Sequence, residues 1–168
     1  MYCAADVHYP VSGGAQAALV MADDVLFSMI TSQRTAFTQD IAPYQPGEFY
    51  RRELPPLRAV LHGVTGIELL ILDGYADLDP GGRPGLGAYA HAEFGVPVIG
   101  VAKTRFATAT HAIPIIRGHA TRALYITASG ISPLCAAEIV SSMSGRFRIP
   151  DALRRVDALA RSHKISAC

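Results

Sequence analysis

Two continuous apolar runs constrain the fold more than any other feature of the chain. They are IELLILD at residues 67–73 and VPVIGVA at residues 96–102. A strand that is apolar along its whole length is typical of a sheet covered by helices on both faces. Helical patterns follow in LGAYAHAEFG, ISPLCAAEIVSSM and IPDALRRVDALARSH. The sequence therefore predicts an α/β protein in which these two runs are buried strands.

The first forty residues contain three shorter runs separated by turn residues. CAADVHY, AQAALVMA and VLFSMITS are β-compatible, and the intervening Ser-Gly-Gly and Asp-Asp predict tight turns and an antiparallel meander. A helix is predicted over residues 48–62, and AIPIIRG and RALYITA are predicted to pair as a hairpin. Three antiparallel strands followed by helix–strand–helix–strand is the order of the ribonuclease H-like fold. We therefore predict a central mixed sheet, three antiparallel strands and then parallel strands, flanked by helices.

Length and composition favour one domain over residues 1–168, since half of the residues are apolar and only 17% are charged. No apolar run reaches the roughly 18 residues of a membrane span. The amino terminus, MYCAADVHYP, does not have the pattern of a signal peptide. Cys3, Cys135 and Cys168 lack the spacing of a zinc site or a disulfide framework. These observations predict a soluble, cytoplasmic protein without membrane association or an obligate protein partner.

The net charge of +1 conceals an uneven distribution. Residues 1–102 contain eleven Asp or Glu and five Arg, whereas residues 103–168 contain three Asp or Glu and ten Lys or Arg. An acidic half beside a basic half suits a metal site next to a phosphate-binding surface. Ordinary variation of surface charge would also produce this asymmetry.

Three acidic residues occupy the positions that a metal site in such a fold requires. Asp6 lies in the first strand, Glu53 in the first helix, and Asp73 at the end of IELLILD. Two or three carboxylates suffice for Mg²⁺, which prefers oxygen ligands and retains several waters. Each acid alone has another interpretation: a turn cap for Asp73, an outer-face residue for Asp6, and a solvated or arginine-paired residue for Glu53. Their joint placement favours the metal site.

Several motifs resemble the endonuclease V family over most of the chain. PYQPGEFYRRELPPL, at residues 43–57, is similar to the family signature P-Y-x-P-G-x-x-x-F-R-E-x-P-x-L. LLILDGYADLDPGGRPGLGAYAHAEFGVPVIGVAKT resembles the strand ending in Asp-Gly, the following loop and helix, and the I-G-V-A-K strand. GRFRIPDALRRVDALA is similar to the closing helix.

The resemblance implies a ribonuclease H-like, Mg²⁺-dependent endonuclease, with Mn²⁺ as a possible alternative. It implies recognition of deaminated purine, chiefly inosine, in DNA or RNA, and hydrolysis of the second phosphodiester bond on its 3′ side. Asp6, Glu53 and Asp73 then fall on the metal-binding carboxylates, and Lys103 on a lysine that contacts phosphate. A lysine at the end of a buried strand would otherwise extend to solvent.

The resemblance also assigns residues to the substrate. Tyr44 falls on a wedge that fills the gap left by the displaced base, although a packed loop aromatic is the commoner role of such a residue. The remaining substrate-binding positions implied are those in and beside the pocket for the flipped base: Pro46, Gly47, Phe49, Gly87 and Ala88. Glycines suit a base that backbone groups read at close range.

The chain departs from the family at two histidines that lie near the metal. Asp79 and Gly130 stand at these positions. His111 and His119 are candidates to substitute for them in space, although each is also typical of a solvated loop histidine. His91 matches a helix histidine of the family, for which we predict a packed, hydrogen-bonded role.

Two alternatives to the inosine-specific nuclease stay open. One is a nuclease of the same fold with altered specificity for flapped, branched or RNA substrates. The other is a nucleic-acid-binding protein that does not cut, which the retention of all three carboxylates disfavours. Competition between inosine-containing and unmodified strands separates the two nucleases.

Overall fold

One mixed sheet of seven strands organises the computed structural model, which describes residues 1–45 and 48–162. The strands lie in the order β3-β2-β1-β4-β5-β7-β6. The first three are antiparallel, and β4 and β5 are parallel to β1, so the predicted α/β, ribonuclease H-like arrangement is confirmed. The strands are β1 (Tyr2–His8), β2 (Ala15–Ala22), β3 (Ile30–Thr38), β4 (Leu69–Asp73), β5 (Val98–Ala102), β6 (Ile113–Ile115) and β7 (Leu124–Ser129).

Helices cover both faces of this sheet, as the two apolar runs require. The helices are α1 (Tyr50–Leu61), α2 (Leu86–Phe94), α3 (Pro133–Ser142) and α4 (Asp151–Arg161). The first two pack on one face against Leu19, Leu70 and Leu72, and the last two pack on the other face against Val20 and Ile71. Within the described ranges, no helix combines the length and apolarity needed to cross a bilayer.

The third strand begins later than the sequence predicts. VLFSMITS was expected to be extended from Val25, but β3 runs from Ile30 to Thr38. The Asp24 side chain accepts hydrogen bonds from the backbone amides of Leu26 (3.0 Å) and Ser28 (3.1 Å). These bonds fold the intervening residues into a turn, because a short acidic side chain competes with the sheet for nearby amides. The prediction was therefore wrong for the first five residues of the run.

The far edge of the sheet is the predicted hairpin. β6 and β7 pair antiparallel, with Ile113 opposite Ile126, and β7 also pairs antiparallel with β5. The three parallel strands, β1, β4 and β5, therefore have an antiparallel neighbour on each side. This arrangement places the loop after β5 next to the hairpin.

Helix α1 positions an acidic side chain despite containing Pro55 and Pro56. A proline inside a helix removes a hydrogen bond and costs about 3 kcal/mol. The buried side chains of Leu57 and Val60 pack α1 on the sheet and offset part of that cost. Glu53 lies on the same buried side, is only 5% exposed, and lines a cavity together with Asp6 and Asp73.

Candidate active site

All four predicted catalytic residues, together with the predicted substrate contact Phe49, line one cavity, here called the carboxylate cavity. β1 and β4 are parallel with Ala5 opposite Leu72. The next residues, Asp6 and Asp73, therefore lie side by side toward the carboxyl ends of these strands. Glu53 of α1 and Lys103, directly after β5, close around them. The cavity has a volume of about 570 Å³ and is lined by Asp6, Val7, Phe49, Glu53, Asp73, Gly74, Tyr75, Ala102, Lys103 and Thr104.

Burial and mutual repulsion make the carboxyl groups of this cavity costly to ionise. Burial, and then the charge of Asp73, raise the pKa of Asp6 to about 6. Burial also raises the pKa of Glu53 to about 8, although a hydrogen bond from Tyr9 opposes the shift. A carboxylate that is removed from water and placed beside another is costly to ionise unless a cation compensates it.

Lys103 supplies one compensating charge. Its ammonium group forms an ion pair with Asp73. Burial opposes the charge of Lys103, but the hydrogen bond and charge of Asp73 outweigh it and raise the lysine pKa. One lysine beside three acids leaves the cavity net negative when all are ionised, so the cavity can accommodate a further cation.

The three carboxylates are not arranged as a ready-made set of metal ligands. Across residues 1–45 and 48–162, no group of three or more His, Cys, Asp or Glu side chains is placed to hold an ion. Glu53 is engaged by Tyr9, and Asp73 by Lys103. The donor chemistry nevertheless fits a hard divalent cation, since all three acids face one cavity and supply only oxygen atoms.

Tyr9 is a site residue that the sequence interpretation missed. Its hydroxyl donates a 2.7 Å hydrogen bond to Glu53 Oε1. The Arg52 guanidinium carbon lies 4.4 Å from the centre of the Tyr9 ring and 6.0 Å from that of Tyr44. Tyr44, the predicted wedge, is 62% exposed and so is accessible to a substrate. Only the position of Tyr9 three residues after Asp6 could have indicated that it reaches the same edge.

A second cavity adjoins the first and has aromatic walls. This aromatic cavity has a volume of about 280 Å³ and shares four residues with the carboxylate cavity. Tyr75 and Phe106 pack against each other with ring centres 6.0 Å apart, and the Tyr75 hydroxyl accepts a hydrogen bond from the Phe106 amide. The lining residues are Phe49, Tyr50, Asp73, Gly74, Tyr75, Leu78, Pro84, Gly85, Leu86 and Phe106.

The predicted base-contacting residues are placed unequally around this cavity. Phe49 lines it, but the described residues that line it do not include Gly87 and Ala88. The Gly87 amide donates to the Tyr75 carbonyl, and the Ala88 amide to the Ala76 carbonyl, each at 3.1 Å. Their contact with a base stays a prediction.

Pro46 and Gly47, two further predicted contacts, lie outside the described residues. Residues just before α2, Pro84 and Gly85, line the aromatic cavity instead. A Cβ atom on Gly85 would lie 2.7 Å from the Tyr75 carbonyl oxygen, so this close approach requires glycine.

The departures at the two histidine positions have local structural explanations. Asp79 caps a turn, where its carboxylate accepts a 3.2 Å hydrogen bond from the Arg83 amide. The space that a side chain at position 130 would need is filled by the ring of His91, which packs against Gly130. This ring also hydrogen-bonds to the Val96 carbonyl oxygen at 2.7 Å. His91 therefore has the predicted packed role.

The two loop histidines lie elsewhere. His111 influences Asp77, whose pKa is raised by burial and lowered in part by the histidine. His119 lines a third cavity on the surface. Neither is among the described residues that line the carboxylate cavity.

Comparison with known proteins identifies the family. The model of the endonuclease V family matches residues 2–158. Endonuclease V of Streptomyces avermitilis is 29% identical over 93% of this chain and 77% of its own length. Endonuclease V of Azotobacter vinelandii is 29% identical over 92% of this chain and 79% of its own.

Solved structures agree on the fold. The crystal structure of the Streptomyces avermitilis enzyme matches 95% of this chain and 79% of its own, with a TM-score of 0.80 and 24% identity. Ciona intestinalis endonuclease V, solved with a 23mer DNA containing an inosine followed by a ribo-adenosine, matches 95% of this chain and 83% of its own, with a TM-score of 0.80 and 17% identity. The match to the family model spans nearly the whole chain, and this protein belongs to the endonuclease V family.

Proposed function

We propose that this chain is a single-domain, Mg²⁺-dependent endonuclease that hydrolyses a DNA or RNA strand on the 3′ side of inosine. The observation that carries the proposal is the pair of adjoining cavities, one acidic and one aromatic, which share Phe49, Asp73, Gly74 and Tyr75. A flipped base and a neighbouring phosphate of the same strand can then be held together. The inosine-containing DNA of the Ciona intestinalis complex supports inosine as that base.

The carboxylate cavity is the proposed catalytic centre. Asp6, Glu53 and Asp73 would hold Mg²⁺, with Mn²⁺ as the alternative ion. A divalent ion bound there would neutralise charge on a scissile phosphate and lower the pKa of a bound water. Lys103, which pairs with Asp73, can instead direct its ammonium group to a phosphate oxygen, because an ammonium on a flexible stem can exchange one oxygen partner for another.

The aromatic cavity is the proposed base pocket. Phe49 and Tyr75 supply apolar walls for a planar ring, and the volume of about 280 Å³ is close to the lower end of ligand pockets, about 300 Å³. Tyr44 is proposed to replace the flipped base in the stack. Its neighbour Arg52, within 6.0 Å of its ring, lies beside Glu53 in the chain, so base recognition and metal binding share the start of α1.

Location and partners complete the proposal. Cys3 and Cys135 are both free thiols, in agreement with a reducing cytoplasm. The partner is nucleic acid containing a deaminated purine. Double-stranded and single-stranded forms of DNA and RNA are the substrates to compare.

A cleavage assay tests the proposal. Strands with one inosine, and matched strands with guanosine, are incubated with the protein and Mg²⁺ or Mn²⁺. We expect nicking of the inosine strand only, on its 3′ side, and loss of nicking in Asp6→Ala and Asp73→Ala. Asp23→Ala is the matched control. This exposed aspartate follows β2, next to the start of β1 and thus at the end of the strands opposite to Asp6.

Each competing interpretation predicts a different result. Equal cutting of inosine and guanosine strands would favour the nuclease of altered specificity. Tight inosine-dependent binding without cutting, under either metal, would favour the non-catalytic protein. Wild-type rates in Asp6→Ala and Asp73→Ala would contradict the assigned catalytic centre.

A further inference from the structure

An exposed phenylalanine lies between two arginines on the basic half of the chain. Phe147 is 47% exposed. The guanidinium carbon of Arg146 lies 5.0 Å from the centre of its ring, and that of Arg154 lies 4.6 Å away. Together with His119, which lines the same cavity of about 520 Å³ as Phe147 and Arg146, these residues form what we call the Phe147 surface.

The loop that presents this surface is held from beneath by a buried arginine. Arg117 is 5% exposed, and its guanidinium donates to the backbone carbonyl oxygens of Gly145 at 3.0 Å and Phe147 at 2.9 Å. It also donates to that of Met143. Because these carbonyls point inward, the side chains of Arg146 and Phe147 are held outward before any ligand binds. Such preorganisation lowers the entropic cost of binding.

The same loop is joined to the carboxylate cavity. The guanidinium of Arg148 donates to the Lys103 carbonyl oxygen, and to that of Ala123 at 2.8 Å. Lys103 lines the carboxylate cavity, and Arg148 lines the cavity of the Phe147 surface. The Arg148 side chain therefore links the two cavities directly.

We propose that the Phe147 surface is a second contact for the substrate strand, outside the two cavities. Unpaired bases stack on the layer of Phe147 and its flanking guanidinium groups, and the backbone phosphates bind Arg146 and Arg154. Aromatic rings and arginine planes are the platforms on which single strands stack without sequence preference. The inference rests on the proposed function for its substrate class.

Charge complementarity selects this occupant. Arg146 and Arg154 both lie on the half of the chain in which basic residues outnumber acidic ones by ten to three. Asp151 lies 3.5 Å from Arg154 and offsets part of its charge, but exposed pairs of this kind are weak. A polyanion with planar bases satisfies both the arginines and the ring, whereas an acidic peptide would satisfy only the arginines.

Strand binding at two lengths tests the inference. One inosine strand is just long enough to fill the two cavities. Two longer strands extend it by about 10 nucleotides, one on the 5′ side and one on the 3′ side, within the range of single-strand site sizes. Dissociation constants are measured without divalent metal, so that no strand is cut. We expect Phe147→Ala to weaken binding of one long strand by at least about 5-fold and to leave the short strand unchanged.

Matched variants separate stacking from charge. Phe147→Trp retains a ring and should retain the affinity for the long strand. Leu134→Ala removes a still more exposed apolar side chain from α3 and should change the affinity for neither strand. Arg146→Gln should lower the affinity for the long strand and reduce its salt dependence, compared with Arg58→Gln, which removes an exposed arginine from α1. Melting temperatures verify that each variant is folded.

The outcomes distinguish this inference from the proposed function. Unchanged affinity of Phe147→Ala for both long strands, or an equal loss on short and long strands, would overturn the inference even if inosine strands are cut. If the protein does not discriminate inosine, the same comparison on unmodified strands still tests the surface. If Phe147→Ala weakens binding of a long unmodified strand but not of a short one, the result supports the Phe147 surface independently of inosine recognition.

Discussion

Tyr9 donates a hydrogen bond of 2.7 Å to Glu53 Oε1 and thereby joins the loop after β1 to the first turn of α1. Burial and the charge of Glu53 raise the pKa of Tyr9, so the phenol stays protonated and remains a donor. Arg52 lies over the Tyr9 ring at 4.4 Å and fixes it from the other side. Tyr9 therefore positions a carboxylate that we assign to the metal.

Replacing Tyr9 with Phe should weaken the response to metal. The change removes only the hydroxyl, so the ring under Arg52 stays in place while Glu53 loses its donor. Second-layer contacts of metal ligands typically affect metal affinity or activity by about 10–100-fold. We expect the Mg²⁺ concentration for half-maximal cleavage to rise by about 10-fold. Cleavage rates measured over a series of Mg²⁺ concentrations give this value directly.

The control for this change lies at the other end of β1. Tyr2 donates a 3.1 Å hydrogen bond to Glu68 at the opposite end of β1. Tyr2→Phe should leave the Mg²⁺ dependence at the wild-type value. A wild-type dependence in Tyr9→Phe as well would show that the hydroxyl does not position Glu53.

Stability without metal should fall as pH rises. The pKa of Asp6 is raised from 3.8 to about 6, and that of Glu53 from 4.5 to about 8. The folded protein therefore binds more protons than the unfolded chain between these values, and ionisation at higher pH costs folding free energy. The stabilisation is complete below about pH 4 and is lost as pH approaches 8, with a slope of at most about 1.4 kcal/mol per pH unit for each group.

Denaturant unfolding in a chelator, repeated from pH 4 to pH 9, measures this slope. Glu53→Gln cannot ionise at this position, so its stability should vary less between pH 5 and pH 8. Added Mg²⁺ should restore stability to the wild type at pH 8, where the carboxylates are ionised, more than at pH 5. A wild-type profile that rises with pH in chelator would contradict the electrostatic description of the cavity.

Arg117→Met should destabilise the fold strongly. The guanidinium donates to five backbone carbonyl oxygens, those of Ser141, Met143, Gly145, Phe147 and Arg148. Methionine fills a similar volume but donates no hydrogen bond, so buried carbonyls lose their partners. Chemical denaturation should show a loss of about 3 kcal/mol or more. Arg155→Met, which removes an exposed arginine bonded to Gln33, should cost less than about 1 kcal/mol.

The carboxylates could be predicted from sequence because local patterns determine their positions. Residues 69–72 of IELLILD are all apolar and Asp73 follows directly, so the end of a buried strand and the place of its acid are predicted together. The positions of Asp6 in the first strand and Glu53 in the first helix can be predicted once the order of the elements is known. The start of β3 could not be predicted in this way, because the Asp24 side chain and not strand propensity decides where the turn ends.

Contacts between distant segments were beyond the sequence pattern. Phe106 joins the aromatic cavity because its amide bonds to Tyr75, 31 residues earlier, and nothing near Phe106 in the chain indicates this. Tyr9 reaches Glu53 across 44 residues for the same kind of reason. Side chains that complete a site from separate loops become visible only when the topology has brought the loops together.

Gly130→Ala should be more destabilising than its backbone angle alone explains. Its φ of +76° is strained for any side chain, and a Cβ atom would lie 2.4 Å from Cε1 of His91. Gly63 has nearly the same φ, +73°, with no atom within 4 Å of a Cβ. Gly63→Ala therefore measures the backbone strain, about 1 kcal/mol or more, and the additional loss in Gly130→Ala measures the contact with His91.

A double-mutant cycle with His91→Ala should confirm this cause. His91 cannot turn away freely, because its ring is held by a 2.7 Å hydrogen bond to the Val96 carbonyl oxygen. Removing the ring should recover the additional loss in Gly130→Ala and leave the cost of Gly63→Ala unchanged, as thermal unfolding can measure. A histidine at position 130 would meet the same ring, so Gly130→His should be tolerated, and should affect cleavage, only when His91 is also replaced. Equal costs for Gly130→Ala and Gly63→Ala would show that His91 does not restrict this position.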